Sequence, residues 1–122
     1  MMKVAISVSE SHSNAAIEPQ FERASYYVIV NLDHPTDRQV LSNPNSHSVS
    51  SNGILAAQML INLGAEAVVT GWCDPGILRI FEIADIAVFQ ITKGTISEII
   101  RALKKQTLEL LNQTDQIPKT IQ

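Results

Sequence analysis

The 122-residue chain has one cysteine, Cys73, and one tryptophan, Trp72, and only 5% of its residues are aromatic. A single cysteine excludes an internal disulfide, and there is no Cys-x-x-Cys and no His-x-x-His, so nothing resembles a closed zinc site with four protein ligands. Lysine and arginine form no run, and a formal net charge of −3 gives no basic field to attract a phosphate backbone, which sets nucleic acid aside as a partner. No segment approaches the roughly 20 apolar residues that a bilayer span requires. The N-terminal apolar run, Val4 to Val8, is too short for a signal peptide. A soluble cytoplasmic protein with no membrane partner is therefore expected. Glycine-rich phosphate loops of the Walker or Rossmann type are absent too.

What is present is apolar patterning. Hydrophobic residues make up 45% of the chain, enough for one core, so residues 1–111 are read as a single α/β domain and 112–122, polar and containing Pro118, as a C-terminal tail. Val4 to Val8 reads as a strand, and Tyr26 to Leu32, rich in β-branched and aromatic residues, as a second. A long polar loop, Ser9 to Arg23, separates them. Turn chemistry at Asp33-His34-Pro35-Thr36-Asp37 leads to a short third strand around Gln39 to Ser42, paired antiparallel with the second. The period then changes: Ile54 to Leu63 is a mostly apolar helix that Gly64 closes, with Ser50, Ser51 or Asn52 as its cap. Ala67 to Thr70 is a continuous apolar run, as expected of a strand covered on both faces. Asp74 is placed as a helix N-cap with Pro75 at the first helical position, and Ile77, Ile80, Phe81 and Ala84 form its core stripe. Ile86 to Phe89 is a fifth strand. Thr95-Ile96-Ser97-Glu98 has the form of a capping box, and Ile96, Ile99, Ile100, Leu103, Leu110 and Leu111 line one face of a last helix.

An antiparallel start followed by two crossover units resembles the ribonuclease H-like arrangement, a three-layer fold with a mixed five-stranded sheet of order 3-2-1-4-5, strand two reversed, and three helices. The ends of strands one, three, four and five then open on one edge, and ligands of open α/β sheets bind at that edge where the winding reverses, between strands one and four. His12, His47 and Cys73 lie in the loops after strands one, three and four. Thiolate and imidazole are donors that transition metals and iron-sulfur species accept. A lone cysteine in an apolar chain is ordinarily a small buried hydrophobe. Cys73, however, stands one residue before a helix start, where the dipole is expected to lower a thiol pKa and attract an anion. His12 and His47 sit among Ser and Asn residues, as solvated loop histidines do. His34 belongs to the opposite edge, and Trp72 anchors its loop or covers a ligand. Catalytic readings fare poorly. Nothing local supplies a base for a cysteine nucleophile, and strand one offers Ser7 and Ser9 where two-metal nucleases need carboxylates.

Met2-Lys3-Val4-Ala5-Ile6, Phe21-x-Arg23-Ala24 leading into Tyr27-Val28-Ile29-Val30, Asn43-Pro44, Gly53 and Ala57, Gly64-Ala65-Glu66-Ala67-Val68-Val69-Thr70-Gly71, and a last helix after Gly94-Thr95 occur in an order and spacing similar to the dinitrogenase iron-molybdenum cofactor biosynthesis family. This is the NifX-like group, which also forms the C-terminal part of NifB. The resemblance spans roughly Met2 to Leu110. It implies the ribonuclease H-like fold and non-enzymatic binding or carriage of an iron-sulfur or iron-molybdenum cluster during cofactor assembly for nitrogen fixation. Two stretches depart from the family pattern. Where the family usually reads His-Phe-Gly-Arg-Ala, this chain has Gln20-Phe21-Glu22-Arg23-Ala24, and where the family has a glycine-rich loop it has Trp72-Cys73-Asp74-Pro75-Gly76. The pocket is either re-equipped, with Cys73 replacing the histidine, or no longer used for clusters.

The expected site is therefore Cys73 as metal ligand, with His12, His47, Gln20, Arg23, Gly71 and Asp74 around the cofactor. The expected partners are the metallocluster and a cofactor-assembly protein, and the chain is expected to be a monomer or weak homo-oligomer and not an enzyme. The alternative is a metal-free interaction or regulatory module on the same fold.

Overall fold

The structure, a computed structural model, describes residues 2–44 and 53–112. Its elements follow in the order β1 (Lys3–Val8), a 3₁₀ turn (Phe21–Arg23), β2 (Tyr26–Asn31), β3 (His34–Ser42), α1 (Ile54–Asn62), β4 (Ala67–Thr70), α2 (Pro75–Ile83), β5 (Ala87–Gln90), α3 (Ile96–Lys105) and β6 (Glu109–Leu110). The sheet order is β3-β2-β1-β4-β5-β6. β2 runs antiparallel to β1 and β3, while β1, β4 and β5 are parallel. Three helices and the expected inner order are present. Among the described residues no helix is long and apolar enough to cross a membrane.

Helices cover both faces because the central strands are apolar on both. Val4, Ile6, Val28, Val69 and Phe89 face α3 and the long β1–β2 loop, from which Ala15 and Ile17 complete the cluster. Ala5, Tyr27, Ile29, Val68 and Val88 face α1 and α2, meeting Leu60, Ile77 and Phe81. At about 25 cal/mol per Å² of apolar area removed from water, these two layers are the main source of stability.

The local signals act where they were expected. Asp74 caps α2 by accepting the Gly76 N–H at 2.8 Å, with Pro75 at the first position. Thr95 and Glu98 form the reciprocal capping box of α3. Gly64 follows α1 at φ +86, a left-handed position in which other residues are strained, and its N–H returns to Ile61. The residue before α1 is Gly53, at φ +80; Ser50, Ser51 and Asn52 lie outside the described residues.

The sheet has six strands, not five. The last helix ends at Lys105 and Gln106 turns left-handed at φ 59, so Leu110 and Leu111 are not on its face. Instead Leu110 pairs with Phe89 and Glu109 with Gln90. The physical reason is the outer edge of β5, whose N–H and C=O groups need partners. Leu111 donates to the Val88 carbonyl at 2.7 Å, the Asn112 Oδ1 accepts from Val88 N at 2.8 Å, and its Nδ2 donates to Ile86 O at 2.9 Å. Asn112, which the sequence assigns to the tail, is thus a buried part of the sheet edge. Residues 113–122 lie outside the described residues. Asn112→Ala is expected to cost about 2 kcal/mol by leaving the Val88 N–H of β5 and the Ile86 carbonyl just before it poorly paired, measured as a lowered midpoint in urea with unchanged slope. The third strand also begins earlier than Gln39, at His34, because the hairpin turns at Leu32 and Asp33.

Candidate functional site at the carboxyl edge of the sheet

The parallel strands end together, and at β1 and β4 the chain itself crosses the edge. Ser7, the penultimate residue of β1 that pairs with Tyr27, donates its hydroxyl to Glu18 O at 2.8 Å and to Thr70 Oγ1 at 2.9 Å, tying the two strand ends to the loop. Residues 18–23 then run alongside Gly71-Trp72-Cys73-Asp74. Trp72 N donates to Pro19 O at 2.8 Å, Phe21 N donates to Trp72 O at 3.0 Å, and Gln20 and Trp72 form a parallel bridge. Gly71 is where the two backbones touch: a Cβ there would stand 2.5 Å from Pro19 O. Glycine is required by this close approach, and Gly71 is buried.

Aromatic packing seats the 3₁₀ turn. Phe21 lies 4.9 Å from the Tyr27 ring and 5.5 Å, edge-on, from Phe81. Tyr27 Oη donates to Phe21 O at 2.7 Å, and the Asn43 Nδ2 donates to Glu22 O at 3.1 Å and to Ala24 O at 2.8 Å. Asn43 is buried, so its side chain is a clamp that holds the turn against the end of β3.

Glu22, which the sequence marks only as a charged departure from the family pattern, has a burial and a partner that sequence reasoning missed. It is 6% exposed, and its Oε1 accepts the Asp74 N–H at the start of α2. A charged loop residue reads as solvated, and its partner is 52 positions away, so no local pattern signals it. The only clue was that Glu22 replaces a glycine of the family pattern.

Of the expected ligands, Cys73 and His12 lie in the loops at this edge. Cys73 is half-buried against the α1–α2 layer. His12 is exposed and 3.3 Å from Glu10, on a cleft of about 700 Å³ lined by Ser9, Ser11, Ser25, Tyr26, Ser42 and Asn43. An exposed pair of this kind contributes little to stability. His47 lies outside the described residues. Among the described residues no group of three His, Cys, Asp or Glu side chains is placed to hold a metal ion. Gln20 is half-buried beside Trp72, Arg23 is exposed, and Asp74 is engaged as the α2 cap.

The expected lowering of the Cys73 pKa is overturned. Burial, then the Glu22 carboxylate and then Asp74, push the thiol up to about 12. Two carboxylates and an apolar wall, none of them visible from the helix start alone, disfavour the thiolate. Burial and Glu22 likewise raise the Tyr27 phenol far above its usual range.

The family model described as dinitrogenase iron-molybdenum cofactor matches residues 2–106. The chain belongs to this family. Among solved structures, the apo form of the orange protein from Desulfovibrio gigas is 24% identical, with a TM-score of 0.82 over 90% of this chain and 92% of that one. A candidate NifB protein from Thermotoga is 23% identical, with a TM-score of 0.79 over 96% of this chain and 100% of that one. An uncharacterized protein of Methanocaldococcus jannaschii is 22% identical over 89% of this chain and 91% of its own length. At these identities the structural likeness establishes a shared fold.

Proposed function

We propose that this family member acts in the assembly or carriage of an iron-molybdenum-type cofactor, as a cytoplasmic, non-catalytic protein that holds an iron-sulfur or iron-molybdenum cluster at the carboxyl edge of its sheet. Family membership supplies the class of cargo. The observation that carries the reading is the position of Cys73, half-buried in the loop after β4, beside the β1–β4 junction and one residue before the α2 cap. Its thiolate is the anchoring ligand, and His12, His47 or a donor from an assembly partner completes the set. The inner strand order supports a ribonuclease H-like fold extended by β6. Because the thiol is protonated at neutral pH, loading releases a proton, and affinity rises with pH.

The test is anaerobic reconstitution with iron and sulfide, read by absorption and metal analysis, on the wild type and Cys73→Ser. Loss of uptake in a variant that keeps its circular dichroism is the expected result, and equal uptake sinks the assignment of Cys73. A second reading, a metal-free interaction module held as a monomer or weak homo-oligomer, is favoured by the exposed apolar side chains Trp72, at 48%, and Leu55, at 53%. No uptake by either protein would leave that reading as the better account.

A further inference from the structure

The two edges of the sheet are finished differently. β6 and Asn112 close the β5 edge, whereas β3 stands at the other end of the strand order and, among the described residues, no strand pairs with its outer side. Open edges of natural sheets carry proline, bulges or charges that keep a second chain away. The first half of β3 has all three. Its register against β2 shifts between Val30 and Asn31, Pro35 has no N–H to offer, and Asp37 and Arg38 carry charge. Arg38 also folds back, donating from Nε and Nη2 to Pro35 O at 2.9 and 2.7 Å and from Nη1 to Ser13 O at 2.8 Å. The second half has none of these devices. Gln39-Val40-Leu41-Ser42 is uncharged, contains no proline and pairs in unbroken register with Ile29 to Tyr26. Within it Val40 is one of the few large hydrophobic side chains left exposed, at 44%.

We propose that this half of β3 is a self-complementary interface, on which a second copy of the chain adds its own β3, antiparallel and about a two-fold axis at Val40, so that the sheet continues through both copies. A two-fold axis normal to a sheet sets each central residue against itself, so the possible registers are few. Centring on Arg38 opposes two guanidinium groups, and centring on Gln39 sets Arg38 and Asp37 against the apolar Val40 and Leu41 of the second copy. Centring on Val40 opposes the two valines, sets Gln39 against Leu41 and Arg38 against Ser42, and leaves no charge facing a charge or an apolar side chain. Arg38, Val40 and Ser42 lie opposite Val30, Val28 and Tyr26 on β2, so the valine pair extends the apolar layer that α3 covers. Residues 38–42 are few beside the roughly 20–30 residues per side of a stable complex, so the dimer is half formed only near about 100 µM. The interface is independent of the function proposed above, since β2 lies between β3 and the β1–β4 junction.

The experiment is sedimentation velocity on the full chain from about 10 µM to about 1 mM. The wild type is expected to pass from monomer to dimer over this range. Val40→Lys and Val40→Glu are each expected to remain monomeric, because like charges then face each other across the axis, and an equimolar mixture of the two is expected to associate about tenfold more tightly than either alone. Amide exchange in the wild type carries the test without any variant: the outward amides among Gln39 to Ser42 are expected to slow at the higher concentration, with those of Phe89 and Gln90 unchanged. A wild type that stays monomeric at about 1 mM overturns the proposal. A dimer that survives Val40→Lys, or that Leu55→Lys disrupts instead, also overturns it, because the contact then lies elsewhere. A mixture that associates no better than its components overturns the axis at Val40.

Discussion

Gly71→Ala is expected to destabilise the protein by about 3 kcal/mol, a fall in melting temperature of roughly 10–15 °C for a domain of this size. The added methyl would stand 2.5 Å from Pro19 O and 2.9 Å from Pro19 Cα and Cβ. Those are backbone and ring atoms, with no flexible end that can step aside. The Pro19 carbonyl is itself held by Trp72 N and Thr70 Oγ1, so relief requires the whole crossing of residues 18–23 over the end of β4 to lift. Lifting it breaks the Phe21–Trp72 bond as well and loosens the Phe21 ring from Tyr27 and Phe81. Because Trp72 is the chain's single tryptophan, its fluorescence reports the displacement directly. A variant whose melting temperature falls by less than about 3 °C with unaltered emission would show that the crossing is looser than these contacts require.

The same crossing marks the boundary of what could be read from sequence. Elements stabilised by their own residues were legible: the apolar run of β4, the Asp74 cap followed by Pro75, and the Thr95–Glu98 capping box each act within a few positions. β6 was not, because two residues have no periodicity, and their extended form comes from the unpaired edge of β5. Gly71 was read as a strand terminator and a cofactor contact, whereas its nearest neighbour is Pro19, 52 residues earlier. Glu22 and Asp74 are likewise joined across the fold. The edge on which the candidate site lies therefore follows from strand order, but the polarity of that edge is set by long-range pairs that no local pattern announces. Cys73 shows the consequence most directly, since its position in the chain was read correctly and the sign of its pKa shift was not.

That sign gives the largest kinetic effect. Alkylation of Cys73 in the native protein is expected to be roughly 50-fold slower at pH 7 than that of an unhindered cysteine. With the thiol pushed up to about 12 from an ordinary 9.0, the thiolate fraction at any pH well below 9 falls by about three powers of ten. A more basic thiolate is intrinsically more nucleophilic, with a Brønsted slope near 0.4–0.5, which returns a factor of roughly 20. The fraction wins, and half-burial slows the reaction further. The pH profile is the sharper measurement: log rate should climb by about one per pH unit from pH 7 to 10 without levelling near 9. Stability follows the same linkage. Above pH 9 the unfolded chain releases the thiol proton while the folded chain retains it, so stability is fully present below pH 9 and is lost progressively as pH rises toward 12. Cys73→Ala should remove this alkaline component of the stability curve and leave the acid side unchanged. A rate plateau near pH 8–9 would mean that the helix start outweighs burial and the two carboxylates, and that Cys73 is already a thiolate near neutral pH.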